Sequence, residues 1–483
     1  MSFLILVDNT FNNKFNAEFE DIFINKINLL KEKLNCDIKN IDHNDDIKDL
    51  SIEQYLNNIY IATENYENII YVPSTMIMIN VEDTIKLSIQ HRDNISYFSY
   101  GENYPNGMIP FIIRRDAFEK LFNIIKNKNI ETIDEDTIKN IVFIDPNFFE
   151  IEIIISQYDL RYYRLNFFAN SKRNNILIKN FIEYDNYDNI AKQIKENPKL
   201  RRTIPSYIEL DITNRQNVIN KSLSFILEEE NSKKEKYINL QDFKEIYNKI
   251  INFSEDFHIS IGAHYEPLLN DDIFDILSFA TENSNVKVYL ETNALLLSED
   301  KVKKLLSIQD KRNNLYTIIH LDAVDENIFK SIYKDNDNLK TILSNIDYYL
   351  IREPKNTYIQ ITKQTDNFEH LKDFYKYFEK YQNINIIMQK YYTYRNIVEN
   401  KKIGDMTPLI NVGCWHLARD LFIDSYGDVY ICRFDIKKEK RIASIYNENI
   451  ESIWYNLEKY YIQNVSKEIE FCNNCDEWYL YNF

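Results

Sequence analysis

The chain has 483 residues, 44% hydrophobic and 14% aromatic, which supplies enough apolar side chain for several buried cores and argues against a disordered chain or a single small domain. A formal net charge of -17, from 75 acidic and 58 basic residues, argues against a sequence-independent grip on nucleic acid or anionic lipid, which clustered Lys and Arg must drive. No apolar run approaches the roughly 20 residues of a membrane span, and five cysteines in the expected cytoplasmic, reducing setting point to metal or redox chemistry rather than disulfides.

The opening "FLILVD" has no basic residues before it and reaches Asp8 after a short apolar run, so it reads as a buried strand rather than a signal peptide. Residues 1–196 alternate such runs ("NIIYVP", "NIVFID", "EIEIIIS") with helical stretches such as "FEDIFINKINLLKEKL", which predicts an α/β domain. Asp8 reads as a turn or cap aspartate, with a metal ligand as the alternative. Cys36, in "EKLNCDIKN", reads as a structural thiol near a helix end. Pro198 and Pro205 punctuate a linker, "ENPKLRRTIPSY".

From Tyr207 the alternation restarts more cleanly, with strands expected in "YIELDI", "HISIGA", "VKVYLET", "YTIIHLDA", "YIQIT" and "NINIIMQ", each separated by helix. Strands apolar on both faces predict a parallel sheet covered by helices, a partial barrel over 205–403. Working residues in such folds sit at strand C-terminal ends, so Asn293, Asp322 and Gln360, with Glu266 in "IGAHYEPLL", are candidates to line a polar pocket. The alternative is that they cap strand ends and anchor loops. His264 reads as a hydrogen-bonded histidine, with a substitute ligand as the other possibility.

The last segment, 405–483, holds Cys414, Cys432, Cys472 and Cys475. "LFIDSYGDVYIC" reads as a β-hairpin with Gly427 supplying a positive φ, so Cys414 and Cys432 can approach each other, and "CNNC" is a knuckle whose thiolates can converge. Four thiolates suit an iron–sulfur cluster or Zn²⁺, and unrelated thiols remain a third reading.

The segment "CWHLARDLFIDSYGDVYIC...CNNCDEW" resembles the short SPASM domain that follows many radical S-adenosylmethionine barrels. The resemblance implies ligands for one [4Fe-4S] cluster in Cys414, Cys432, Cys472 and Cys475, with Zn as the alternative metal. Residues 205–400 resemble the radical SAM barrel itself. Members of that family place three cysteines in a CxxxCxxC loop after the first strand to hold a second cluster that binds S-adenosylmethionine. Here Gln216, Asn220 and Leu223 stand at those positions, and none can act as a thiolate ligand. "ENYPNGMIPFIIRRDAFEKL" and "DLRYYRLNFFAN" resemble sugar nucleotidyltransferases of the GT-A type, which implies a phosphate loop and metal-holding acids. The loop "VDNTFNNKFN" lacks glycine, and Ser74 and Thr75 replace the acid, so that domain is expected to be degenerate. Arg114 and Arg115 are expected to meet a phosphate or to form surface ion pairs.

The three-part order resembles the group called spiro-SPASM proteins. The expected function is an iron–sulfur protein on a radical SAM-like scaffold, without radical chemistry, acting in binding, electron relay or assembly with a protein partner. One alternative is an enzyme binding S-adenosylmethionine, a nucleotide sugar or another small-molecule ligand in the barrel. The other is a zinc-stapled structural protein.

Overall fold

The computed structural model describes residues 3–42, 50–126, 128, 132–184, 186–334, 337–382, 384–404 and 407–479. The ends of the last expected segment, 405–406 and 480–483, lie outside the described residues. The chain forms two compact units, Met1–Thr203 and Ile204–Phe483. Among the described residues no helix is long and apolar enough to cross a membrane.

The first unit is built on a mixed sheet of β1 (Phe3–Asp8), β2 (Asp37–Ile41), β3 (Asn68–Pro73), β4 (Phe98–Glu102), β5 (Phe111–Arg114) and β6 (Ile151–Ile155), in the order β2-β1-β3-β5-β4-β6. Every residue of β1 and β3 is buried, which places them in the centre, and they pair in parallel. β5 runs antiparallel to both β3 and β4. The helix Glu20–Leu34 buries Phe23, Ile27 and Leu30 at helical spacing, as its pattern predicts. "NIVFID" is not the strand expected: it lies in the helix Thr137–Ile144, which buries Ile138, Ile141 and Val142. A short apolar run carries no periodicity that separates the two, and here the spacing of three and four fits one helix face.

Asp8 acts as a cap: its carboxylate accepts from Thr10 N at 2.9 Å and from the Tyr71 hydroxyl at 2.5 Å. Arg114 forks onto Asp116, while Arg115 lies over the Tyr60 ring.

The second unit contains a nine-stranded sheet. Six strands, β7 (Tyr207–Leu210), β8 (Phe257–Ile261), β9 (Val286–Thr292), β10 (Leu315–His320), β11 (Thr357–Lys363) and β12 (Asn385–Lys390), pair in parallel with each sequence neighbour, as the strand–helix repeat predicts. Three more, β13 (Asp420–Ile423), β14 (Asp428–Tyr430) and β15 (Arg441–Ser444), extend the sheet beyond β7. One contiguous core covers both parts, from Ile208 and Leu290 to Ile453 and Trp454 of the helix Ile450–Val465.

His91, on the helix Val81–Asp93, is fully buried; its Nδ1 lies 2.7 Å from Ser99 Oγ and its Nε2 has no partner. Burial, helped by the Arg114 charge, lowers it from 6.5 to about 4. As pH falls below 6.5 the unfolded chain takes up a proton that the folded chain refuses, so stability falls between pH 6.5 and 4 by up to about 3 kcal/mol and is unaffected above pH 6.5. Urea unfolding at pH 7 and pH 4.5 should therefore show a smaller loss for His91→Gln than for the unsubstituted protein. Equal losses would remove His91 from the account.

Candidate metal centre and barrel cavity

The hairpin β13–β14 is the frame of the cysteine centre. Asp424 organises its turn, accepting from Tyr426 N at 2.9 Å, Asp428 N at 3.1 Å and Lys438 Nζ at 2.9 Å. Gly427 has φ +77, and a Cβ there would collide with the Tyr446 ring, so both backbone and space favour glycine. Cys414 immediately precedes the helix Trp415–Arg419, which leads into β13, and Cys432 follows β14. Cys472 ends the turn Glu470–Cys472, and its carbonyl accepts from Cys475 N at 3.1 Å.

Two contacts join the halves of the centre. Asn464 accepts from Cys414 N at 2.8 Å and also hydrogen-bonds the Cys472 thiol, while Trp415 N donates to Trp478 O at 2.7 Å. Cys414, Cys432 and Cys472 pack in one apolar cluster with Leu417, Ile431, Tyr461, Ile469 and Trp478.

Burial raises all four thiols. Cys414 is raised further by Cys475 and Cys472, and Cys432 by Cys475, Cys472 and Cys414. Cys475 is pushed to about 12. Without a cation these thiols hold their protons, and a bound metal must displace them. Among the described residues no three His, Cys, Asp or Glu side chains are grouped tightly enough to hold one metal ion. Cys36 stands elsewhere, packed against the core of the first unit.

A cavity of about 180 Å³ opens at the C-terminal ends of the parallel strands. Gln216, Asn220 and Leu223 all line it, as do His264, Asn293 and His320. The polar groups on its wall are engaged with one another. Gln216 Oε1 accepts from Asn293 Nδ2 at 3.0 Å, and Asn293 Nδ2 also donates to Asn217 Oδ1 at 2.8 Å. His264 sits between Asp211 Oδ2, at 3.0 Å, and the Arg433 carbonyl, at 2.9 Å. His320 sits between Glu291 Oε2, at 2.9 Å, and Gln360 Nε2, at 3.0 Å.

Of the residues expected to form the pocket, Asn293 lines it, whereas Glu266, Asp322 and Gln360 stand behind the wall. Glu266 is buried and accepts from Leu268 N, Thr292 Oγ1 and Asn293 N at 2.8–3.0 Å. Burial raises its carboxyl against these hydrogen bonds. Asp322 accepts from the Tyr333 hydroxyl and Thr362 N, both at 2.7 Å, and Gln360 orients His320.

Sequence reasoning missed the interior charges. Glu209 on β7 accepts from Arg433 Nη1 at 2.7 Å, and Ser260 on β8 donates to Glu291 on β9. Burial alone would raise Glu291, but His320, Arg433 and Ser260 together lower it. The available signal was an acid within a strand otherwise apolar on both faces, in "YIEL" and "YLET". Asp435, Ile436 and Lys438, just after Cys432, also line the cavity.

Residues 414–476 match the SPASM family, described as an iron–sulfur cluster-binding domain, and all four cysteines fall inside the match. The C-terminal part of this α/β protein is therefore a SPASM iron–sulfur domain. Over 359 residues the chain is 26% identical to an uncharacterized protein of Treponema pallidum (strain Nichols), covering 70% of this chain and 96% of that protein. Among solved structures it is similar to BtrN in complex with AdoMet and 2-DOIA, at 13% identity and a TM-score of 0.38 over 57% of this chain and 94% of that one. It is also similar to Streptococcus suis SuiB bound to precursor peptide SuiA, at 14% identity and a TM-score of 0.44 over 62% and 80%. Native anSMEcpe with bound AdoMet gives 13% and 0.42 over 56% and 89%.

Glu266→Ala would leave two buried amides and a hydroxyl without an acceptor. It is expected to lower stability by about 2–4 kcal/mol in urea unfolding while leaving the metal content of the folded protein unchanged. A neutral result would show that Glu266 does not brace the cavity wall.

Proposed function

We propose that the chain is a cytosolic iron–sulfur protein in which Cys414, Cys432, Cys472 and Cys475 hold one [4Fe-4S] cluster, on a radical SAM-like scaffold that carries no second cluster. Its work is then binding, one-electron relay or assembly with a partner enzyme, since the cluster supplies electron transfer and the barrel has no thiols to start a radical reaction.

The observation that carries this reading is the cavity at the three loop positions. Gln216 is already used as an acceptor by Asn293, Asn220 Oδ1 accepts from Ser222 N at 2.9 Å, and Leu223 has no donor atom. The loop is also tied down without metal: Gln216 N donates to Asn231 Oδ1 at 3.1 Å, and Asn231 Nδ2 returns a bond to Gln216 O at 2.8 Å.

The match of residues 414–476 to an iron–sulfur cluster-binding domain supports a cluster over zinc at these four thiols.

Protein purified without oxygen should contain about four irons and four sulfides per chain, with broad visible absorbance, and Cys472→Ser should lose the iron and melt at lower temperature. One zinc per chain without visible absorbance would replace the relay with a structural staple. About eight irons would restore a second cluster and overturn the reading of the barrel.

A further inference from the structure

The first unit has a second cavity, which the cysteine centre does not explain. It is a groove of about 1,030 Å³, at or above the upper end of the roughly 300–1,000 Å³ typical of small-molecule sites. Its walls come from the helices Glu20–Leu34 and Val81–Asp93, strand β6, and Ile182, Tyr184 and the helix Tyr187–Glu196. Ile22, Leu29, Ile89, Ile154, Ile155 and Ile182 make much of it aliphatic, and Leu29, Ile89 and Ile155 remain 41–64% exposed. A run of exposed branched side chains around one groove costs solvation that a ligand would recover.

One charged group in the groove has nothing to do. Lys86 pairs with Glu82 and Asp83, each at 3.0 Å, and Asp83 also accepts from Asn80 and Tyr104. Asp188 accepts from Gln157 at 2.7 Å. Lys26 lines the same groove, half-buried, and makes no hydrogen bond or ion pair among the described residues. Loss of water around its ammonium, with no compensating charge, lowers it from 10.5 to about 8. A desolvated cation without a partner is costly in the free protein, and an arriving anion would relieve that cost.

We propose that this groove binds a monocarboxylate with an aliphatic chain, its head on Lys26 and its chain along Ile22, Leu29, Ile89 and Ile155. Among the described residues one free cation, with Glu82, Asp83 and Asp188 on the same walls, matches one negative charge and opposes the two of a phosphate monoester. The aliphatic lining supplies affinity in proportion to the chain carbons it covers, about 0.8 kcal/mol per buried CH₂.

The test is calorimetric titration of the full chain with decanoate, decanol and decyl phosphate, each below its aggregation limit. Decanoate should bind one per chain. Lys26→Met should weaken it about tenfold while leaving decanol unchanged, and Lys26→Arg should retain it. Since Lys26→Met replaces an unpaired, half-buried ammonium with an apolar side chain, it should melt no lower than the unsubstituted protein. Ile89→Glu should weaken decanoate and decanol alike. No binding of decanoate, equal decanoate binding to a folded Lys26→Met, or tighter binding of decyl phosphate would each overturn the proposal.

Discussion

The parallel pairing of β13 with β7 is the contact on which the second unit depends. Leu421 stands opposite Ile208 and Ile423 opposite Leu210, and the ladder is extended at both ends by Ser206 N to Arg419 O and Asp211 N to Ile423 O, each at 3.0 Å. An isolated hairpin is marginal in water, so a cysteine module built on β13–β14 gains its rigidity by becoming part of a larger sheet. Register matters as much as pairing. With a side-chain period of two, Phe422 is directed to the cavity, where its ring meets His264 edge-on at 5.0 Å. A slip of one residue would turn Phe422 away and bring Leu421 and Ile423 out of the core.

That pairing also delivers charge to the sheet's interior. Arg433 follows Cys432 directly, yet its guanidinium bonds Glu209 and the Ala263 carbonyl, and its own carbonyl meets His264. Glu209 and Glu291 are buried acids that would be very costly alone; Arg433 and His320 offset that cost. A hydrogen-bonded line then crosses four neighbouring strands, from Gln360 through His320 and Glu291 to Ser260. The consequence is a coupling of position rather than of chemistry: a candidate ligand of the metal and the counter-ion of the interior acids share one stretch of backbone.

Much of this was legible in the sequence, and the limits have physical causes. The six parallel strands of the second unit announce themselves because buried parallel strands are apolar on both faces and are separated by helical spacing. The β13–β14 hairpin was readable from Gly427, whose positive φ is one that residues with a Cβ rarely adopt. Long-range pairing was not readable: nothing in "DLFI" says that it will lie parallel to "YIEL" some 200 residues earlier, because both are short apolar runs without register marks. In the first unit the order β3-β5-β4 escaped for a related reason, since β4 and β5 are short and β4 is half-polar, and "NIVFID" was ambiguous between strand and helix. Cavity membership was partly legible. Strand-end position found Asn293, but it could not separate wall from brace for Glu266, Asp322 and Gln360, because that depends on which way a carboxylate or amide turns once its neighbours are in place.

The loop after β7 is held by many weak links rather than by a few strong ones. Arg215 donates to the Glu230 carbonyl at 2.8 Å, Glu266 N donates to the Arg215 carbonyl at 3.0 Å, and Lys334 N donates to the Ile219 carbonyl at 2.9 Å. Each neutral bond contributes only about 1 kcal/mol net, so several are needed, and together they satisfy the backbone of a segment that has little regular structure. A thiolate set introduced at Gln216, Asn220 and Leu223 would have to break the Gln216–Asn293 contact and the Asn220 cap before any metal could be reached. The chemistry of this chain is therefore separated in space: a thiol-rich centre at the C-terminal end, and a cavity beside it whose polar groups are occupied with holding the fold.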